Sequence, residues 1–171
     1  MKKENVLSFL FKKEQDMPNN EHLPVLFYRG AFKEDPAECE AIFHKHYWKN
    51  SWRGSVLDYH HFHSNAHEVL GVANGEAKIK IGGKKGTTFD VAAGDVIVLP
   101  AGTGHKKMDE SFNFQVIGAY PGGADYNMKT AYSEKEIQDI TEVSLPDADP
   151  VFGREGPLTK LWKVGHNGSE V

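Results

Sequence analysis

Between Ala77 and Ile81 apolar and polar residues alternate strictly. Ala77, Ile79 and Ile81 fall on one side and Lys78 and Lys80 on the other, the period of a half-buried strand. The run Gly82-Gly83-Lys84-Lys85-Gly86 that follows reads as a hairpin loop. Similar short runs, broken by Gly71, Gly75, Gly94, Gly102 and Gly104, continue from 52 to 120 and predict a sandwich or barrel of many short strands. Upstream, apolar runs at 6–11 and 25–28 predict two more strands, parted by the turn-forming Pro18-Asn19-Asn20. A helix is expected next, with Asp35 as cap, Pro36 in the first helical position and Glu38 at capping-box spacing. Cys39, Ile42, Phe43, His46 and Tyr47 give it one apolar face, on which Cys39 is a packing residue.

Beyond Pro121-Gly122-Gly123 the strand texture stops. Ser133 and Glu136 form a second capping box for a short helix through about 140. The proline-punctuated stretch 145–162, anchored by Val151, Phe152, Leu158, Leu161 and Trp162, is expected to run extended over the strands or a partner subunit. Residues 165–171 are expected to be unstructured. The 171 residues therefore fit a single domain, with a core at about 52–121, an N-terminal arm at 1–51 and a C-terminal extension at 122–171. Trp48, Trp52 and Trp162 read as packing.

Charge and cysteine content narrow the class. A net charge of −4, with basic residues scattered in pairs, argues against nucleic acid as a partner. The one cysteine leaves no intrachain disulfide. The apolar run at 6–11 is too short for a secretory signal, and no stretch has the length of a membrane span, so a cytoplasmic protein without a membrane partner is expected.

The chemistry concentrates in Tyr59-His60-His61-Phe62-His63-Ser64-Asn65-Ala66-His67-Glu68. In extended chain, residues two apart share a face, so His61 and His63 project together, and Glu68 on the next strand can face the same space. Imidazole nitrogens with a carboxylate oxygen suit borderline metals. A bare His-x-His is a weak signal. The segment from Gly94 to His105 strengthens it, because Pro100 and Gly102 end an apolar strand and reverse the chain, which can aim His105 at a fixed point.

Together these segments resemble the two motifs of the cupin superfamily. The first is met by His61, His63, Glu68 and Gly75, with four residues between His63 and Glu68 and six between Glu68 and Gly75. The second is met by Gly94, Pro100, Gly102 and His105, and 94 − 75 − 1 = 18 residues separate the motifs. Gly54 stands one residue too far from His61, and Asp109 replaces the pattern's asparagine. The wording HFHSNAHEVLGVANGEAKIKIGG, LPAGTGHK and LPDADPVFGREGPLTKLW is similar to the YjlB-like single-domain bacterial cupins. The resemblance implies an all-β jelly-roll barrel that binds one divalent transition ion through His61, His63, Glu68 and His105. Iron, manganese or nickel suits that set, and zinc is possible.

Four protein ligands leave two positions on an octahedral ion for a small molecule. The first expectation is a metal-dependent enzyme on a small organic substrate, an oxygenase ahead of an isomerase or decarboxylase. The alternative is a non-catalytic ligand- or metal-binding sensor module. Glu68, Tyr59 (same parity as His61) and Gln115 (polar within an apolar strand) are the candidate catalytic residues. His60 and His67 have the opposite parity and are expected outside the barrel, as outer donors to ligands or as surface residues; His44 and His46 belong to the helix. A homodimer is expected through the 25–28 strand and the apolar C-terminal stretch.

Overall fold

The computed structural model describes residues 1–167 of the chain. Nine strands lie in two antiparallel sheets. They are β1 (Leu7–Phe9), β2 (Val25–Tyr28), β3 (Trp48–Gly54), β4 (Glu68–Asn74), β5 (Glu76–Ile81), β6 (Thr87–Ala92), β7 (Val96–Leu99), β8 (His105–Glu110) and β9 (Gln115–Pro121). One sheet has the order β1-β2-β7-β4-β9-β3 and the other β6-β5-β8. The two face each other as a jelly roll and are not closed into one barrel by ladder pairing.

The core between the sheets takes alternate residues from each: Phe27, Leu70, Val72, Ile97 and Val116 from the larger sheet, Ala77, Ile79, Ile81, Phe89 and Val91 from the smaller. The expected alternation at 77–81 is therefore present, as is the hairpin from β5 to β6. The larger sheet is also covered on its outer face, where Tyr28, Val69, Val98, Ile117 and Ala119 pack on Cys39, Phe43, Leu158 and Trp162. Burial on both faces explains why β2 and β7 read as unbroken apolar runs.

The helices are α1 (Cys39–Lys45), α2 (Glu134–Thr141) and α3 (Pro157–Asn167), of which α1 and α3 pack on that outer face. Asp35 caps nothing with its side chain, and Pro36–Glu38 is a 3₁₀ turn leading into α1. Of the predicted apolar face, Cys39 and Phe43 are buried, whereas Tyr47 has left the helix with φ 66° and is 64% exposed. Gly71 of β4 lets α1 sit close: a Cβ there would meet Cys39 Sγ at 2.7 Å. Burial pushes the Cys39 thiol up to about 12, consistent with a packing role. The capping box of α2 forms as expected between Ser133 and Glu136.

The C-terminal stretch is not extended throughout, since its last part, from Pro157, is helical. Leu158, Leu161 and Trp162 lie on α3 at spacings of three and four, which presents them to the sheet together. The unstructured tail expected from 165 is likewise corrected, since α3 continues through Asn167; residues 168–171 lie outside the described residues. The two elements named for a homodimer both take part in the chain's own fold. β2 is an interior strand between β1 and β7, and the C-terminal anchors are used within the chain's own core. Among the described residues, no helix is long and apolar enough to cross a membrane.

Candidate metal centre

His61 and His105 are locked opposite each other by two backbone hydrogen bonds, His61 N to His105 O at 3.2 Å and His105 N to His61 O at 3.0 Å. One residue on, Phe62 pairs with Lys129, which holds the chain extended so that His63 returns to the side of His61. Ring centroids are 4.1 Å apart for His61 and His105, 5.9 Å for His61 and His63, and 5.5 Å for His63 and His105. One nitrogen from each of the three falls within 4.8 Å of the others. Glu68, the first residue of β4, joins from the larger sheet with Oε1 3.4 Å from Nε2 of both His63 and His105.

Each imidazole is oriented through its other nitrogen. Nδ1 of His61 bonds the carbonyl of Tyr59 (2.9 Å), Nδ1 of His63 that of Asn127 (2.5 Å), and Nδ1 of His105 that of Thr103 (3.0 Å). A carbonyl can only accept, so Nδ1 carries the proton and Nε2 is directed into the site. Glu68 is oriented in the same way: Tyr120 Oη donates to its Oε2 at 2.6 Å, and Trp52 Nε1 donates to Tyr120 Oη at 2.8 Å. Glu68 Oε1 is buried and has no hydrogen-bond partner among the described residues.

The electrostatics follow from burial and proximity. Burial opposes charge on Glu68, but His63 and His105 together hold its carboxyl well below the usual range. Burial likewise opposes charge on His63, and the neighbouring Glu68 charge outweighs it and raises the imidazole. His61 lies farther from that compensation; burial and the neighbouring His105 depress it to about 3. Burial above all, and then the Glu68 charge, keep Tyr120 protonated and able to donate.

These residues fit a metal ion on their own chemistry. Nitrogens of the three imidazoles lie within 4.8 Å of one another, and the orphaned Glu68 Oε1 stands 3.4 Å from two of them. Ligand bonds of about 2.0–2.2 Å imply donor–donor separations of about 3–4.4 Å, which brackets the 3.4 Å contacts. The centre opens into a cavity of about 180 Å³ walled by Trp52, Val56, Leu57, Leu70, Tyr126 and Met128.

Two sequence candidates fall away from this pocket. Tyr59 is 45% exposed, contributes its carbonyl to His61 and sets its ring edge-on to the His61 ring at 5.8 Å, outside the cavity lining. Gln115 begins β9 and accepts from Asn74 Nδ2 at 3.3 Å, away from the cavity lining. His67 is neither a surface residue nor a partner of the ligands. It is buried against Trp162, accepts from Ala101 N through Nδ1 (2.9 Å) and meets the Ser144 carbonyl through Nε2 (3.2 Å). His60 is half-buried, and burial followed by the charges of Lys106 and Lys80 lowers its pKa. His44 and His46 bond Ser51 and the Pro150 carbonyl outside the site. Conversely, Trp52 does more than pack, and Tyr120, Tyr126, Asn127 and Met128 enter the site without having been singled out in the sequence.

Two facing antiparallel sheets with three histidines and a glutamate between them define a cupin, and the chain belongs to that family. The cupin family model matches residues 54–121. Over 158 residues the chain is 43% identical to the uncharacterised protein YjlB of Bacillus subtilis (strain 168), covering 91% of this chain and 95% of that one. Among solved structures, acireductone dioxygenase from Bacillus anthracis, with cadmium in its active centre, shares 20% identity over 55% of this chain and 60% of its own, with a TM-score of 0.35. An 11S allergen from Cocos nucifera shares 14% identity over 55% of this chain and 29% of its own, with a TM-score of 0.39. The chain spans less than two thirds of either structure, and likenesses at these scores carry no argument about chemistry.

Proposed function

We propose that His61, His63, His105 and Glu68 hold one divalent transition ion, and that the protein is a metal-dependent enzyme acting on a small organic molecule in the adjoining cavity. The observation that carries this reading is the buried, unpartnered Oε1 of Glu68, 3.4 Å from two imidazole nitrogens. A buried carboxylate oxygen without a partner costs several kcal/mol on the order-of-magnitude scale for polar burial, and a cation removes that cost.

The ion supplies Lewis acidity and, for iron, manganese or nickel, redox chemistry. The chain's residues do the rest. Carbonyls of Tyr59, Asn127 and Thr103 fix three imidazoles in one tautomer, Tyr120 holds Glu68, and the apolar wall excludes water. Apart from the residues proposed to hold the ion, no carboxylate, lysine or histidine among the described residues lines the cavity as a general acid or base, and of its two tyrosine hydroxyls Tyr120 is committed to Glu68. That absence favours oxygenase chemistry over an isomerase, which needs a proton shuttle.

The test is elemental analysis of protein purified without added metal, followed by oxygen-electrode assays on iron- and manganese-loaded protein. About one ion per chain and chelator-sensitive oxygen uptake are expected. If a compound binds tightly and is recovered intact, the sensor-module reading replaces the enzyme.

A further inference from the structure

The cavity beside the four ligand residues is unusual in what it lacks. None of the described residues that line it is a lysine or arginine. Lys107 touches the lining through Ser55 Oγ at 3.4 Å but is paired with Glu110 Oε1 at 2.6 Å. The lining hydroxyls are also committed. Ser55 Oγ donates to Glu110 Oε2 at 2.8 Å, and Tyr120 Oη spends its proton on Glu68 while accepting from Trp52. Only the Tyr126 hydroxyl, among lining polar groups other than the ligand residues, has no hydrogen bond among the described residues. The walls are largely aromatic or aliphatic around a space of about 180 Å³.

A polyol placed there would lose hydrogen bonds to water and regain almost none. A dianion would meet a divalent ion already half neutralised by Glu68, with no second cation to share its charge. An apolar body, in contrast, gains from leaving water, and one polar head can take the open side of the ion. Resting on the metal reading above, we infer that the site selects small ligands with one chelating head, at most one negative charge, and an apolar body, and rejects polyols and dicarboxylates. Trp52, Tyr126 and Met128 are the specificity-determining wall.

Binding to cobalt-loaded protein, followed by the cobalt visible absorption, tests this without requiring turnover. Acetohydroxamate supplies a singly charged chelating head, benzohydroxamate the same head with an aromatic body, oxalate a dianion and threitol a polyol. Metal retention is verified by elemental analysis after gel filtration. Benzohydroxamate is expected to bind at least about tenfold more tightly than acetohydroxamate, from ring burial, and at least about tenfold more tightly than oxalate. Threitol is expected to produce no shift. Met128 is 48% exposed, so Met128→Lys should fold normally while placing a cation at the mouth. In that variant oxalate should gain at least about fivefold. Oxalate binding as tightly as benzohydroxamate, a ring worth less than threefold, or no oxalate gain in Met128→Lys would each overturn the inference while leaving the metal site standing. Failure of cobalt to bind would remove the metal reading and this inference together.

Discussion

Removing the Tyr120 hydroxyl asks whether the chain of hydrogen bonds behind Glu68 serves the metal or only the fold. Tyr120 Oη donates to Glu68 Oε2 at 2.6 Å and accepts from Trp52 Nε1 at 2.8 Å, while its ring stacks on Tyr126 at 4.1 Å. Phenylalanine keeps the ring and the wall, so Tyr120→Phe isolates the hydroxyl. A hydrogen bond to a charged group contributes about 2 kcal/mol. With the donor gone, Glu68 Oε2 joins Oε1 as an unpartnered atom and the carboxylate can turn. A loss of about 2 kcal/mol is roughly 30-fold in metal affinity, within the 10–100-fold typical of groups that orient a ligand. Metal-free protein should also melt lower, by about 4–8 °C for a chain of this size. Competition for zinc against a chromophoric chelator measures the first quantity and calorimetry the second. A variant that melts lower yet binds zinc within threefold of the parent would refute the positioning role and leave Tyr120 as a structural residue.

His61→Ala and His105→Ala are each expected to abolish stoichiometric metal, which elemental analysis checks directly. Because the Glu68 charge raises His63, a proton competes for its Nε2, so metal affinity should fall as the pH is lowered from 6.5 to 5; a flat profile over that range would exclude His63 as a ligand. Burial lowers His67 from 6.5 to about 4, so the unfolded chain takes up the proton first. Its stabilising contribution, on the order of 3 kcal/mol, is full above pH 6.5 and is lost as pH falls toward 4. In denaturant titrations of metal-free protein, His67→Gln should flatten that part of the stability profile. Gly118→Ala should cost about 1–3 kcal/mol and disturb the Trp52 fluorescence environment, since a Cβ there would meet the Trp52 ring at 2.3 Å.

The parts of the site that were legible in the sequence depend on local spacing. Parity within His61-Phe62-His63 placed two imidazoles on one side, and the Pro100–Gly102 reversal brought His105 to them, as the mutual backbone pairing of His61 and His105 bears out. Parity could also have found Tyr120. On β9, Val116 faces the inter-sheet core while Ile117 and Ala119 face outward, so Tyr120 shares the inner side with Val116. A tyrosine on an inner face must find a partner for its hydroxyl. The same reasoning was spent on Gln115, which has the outer parity and sits at the strand's exposed start. Trp52 needed long-range register, since only its pairing with Gly118 lays the indole over an inner-face glycine within reach of Tyr120. The final helix was missed because prolines and a Gly-rich approach masked the three- and four-residue spacing of Leu158, Leu161 and Trp162.

The segment after β9 has no signature of its own, yet it completes the centre. Asn127 gives its carbonyl to His63 Nδ1, its Oδ1 to Ser64 N and its Nδ2 to Ser64 Oγ, while its own N–H donates to Asn65 Oδ1. One residue therefore fastens the returning chain to the turn that follows His63. Its neighbours on either side, Tyr126 and Met128, are carried into the cavity wall by the same clamp. The ring orientation of His63, a proposed metal ligand, and the shape of the cavity are thus set by a single set of hydrogen bonds. Disturbing Asn127 must alter both, whereas changing Met128, which makes none of those bonds, alters the wall alone. That asymmetry is a physical reason for metal affinity and ligand selectivity to be tuned separately from the wall but only together from the clamp.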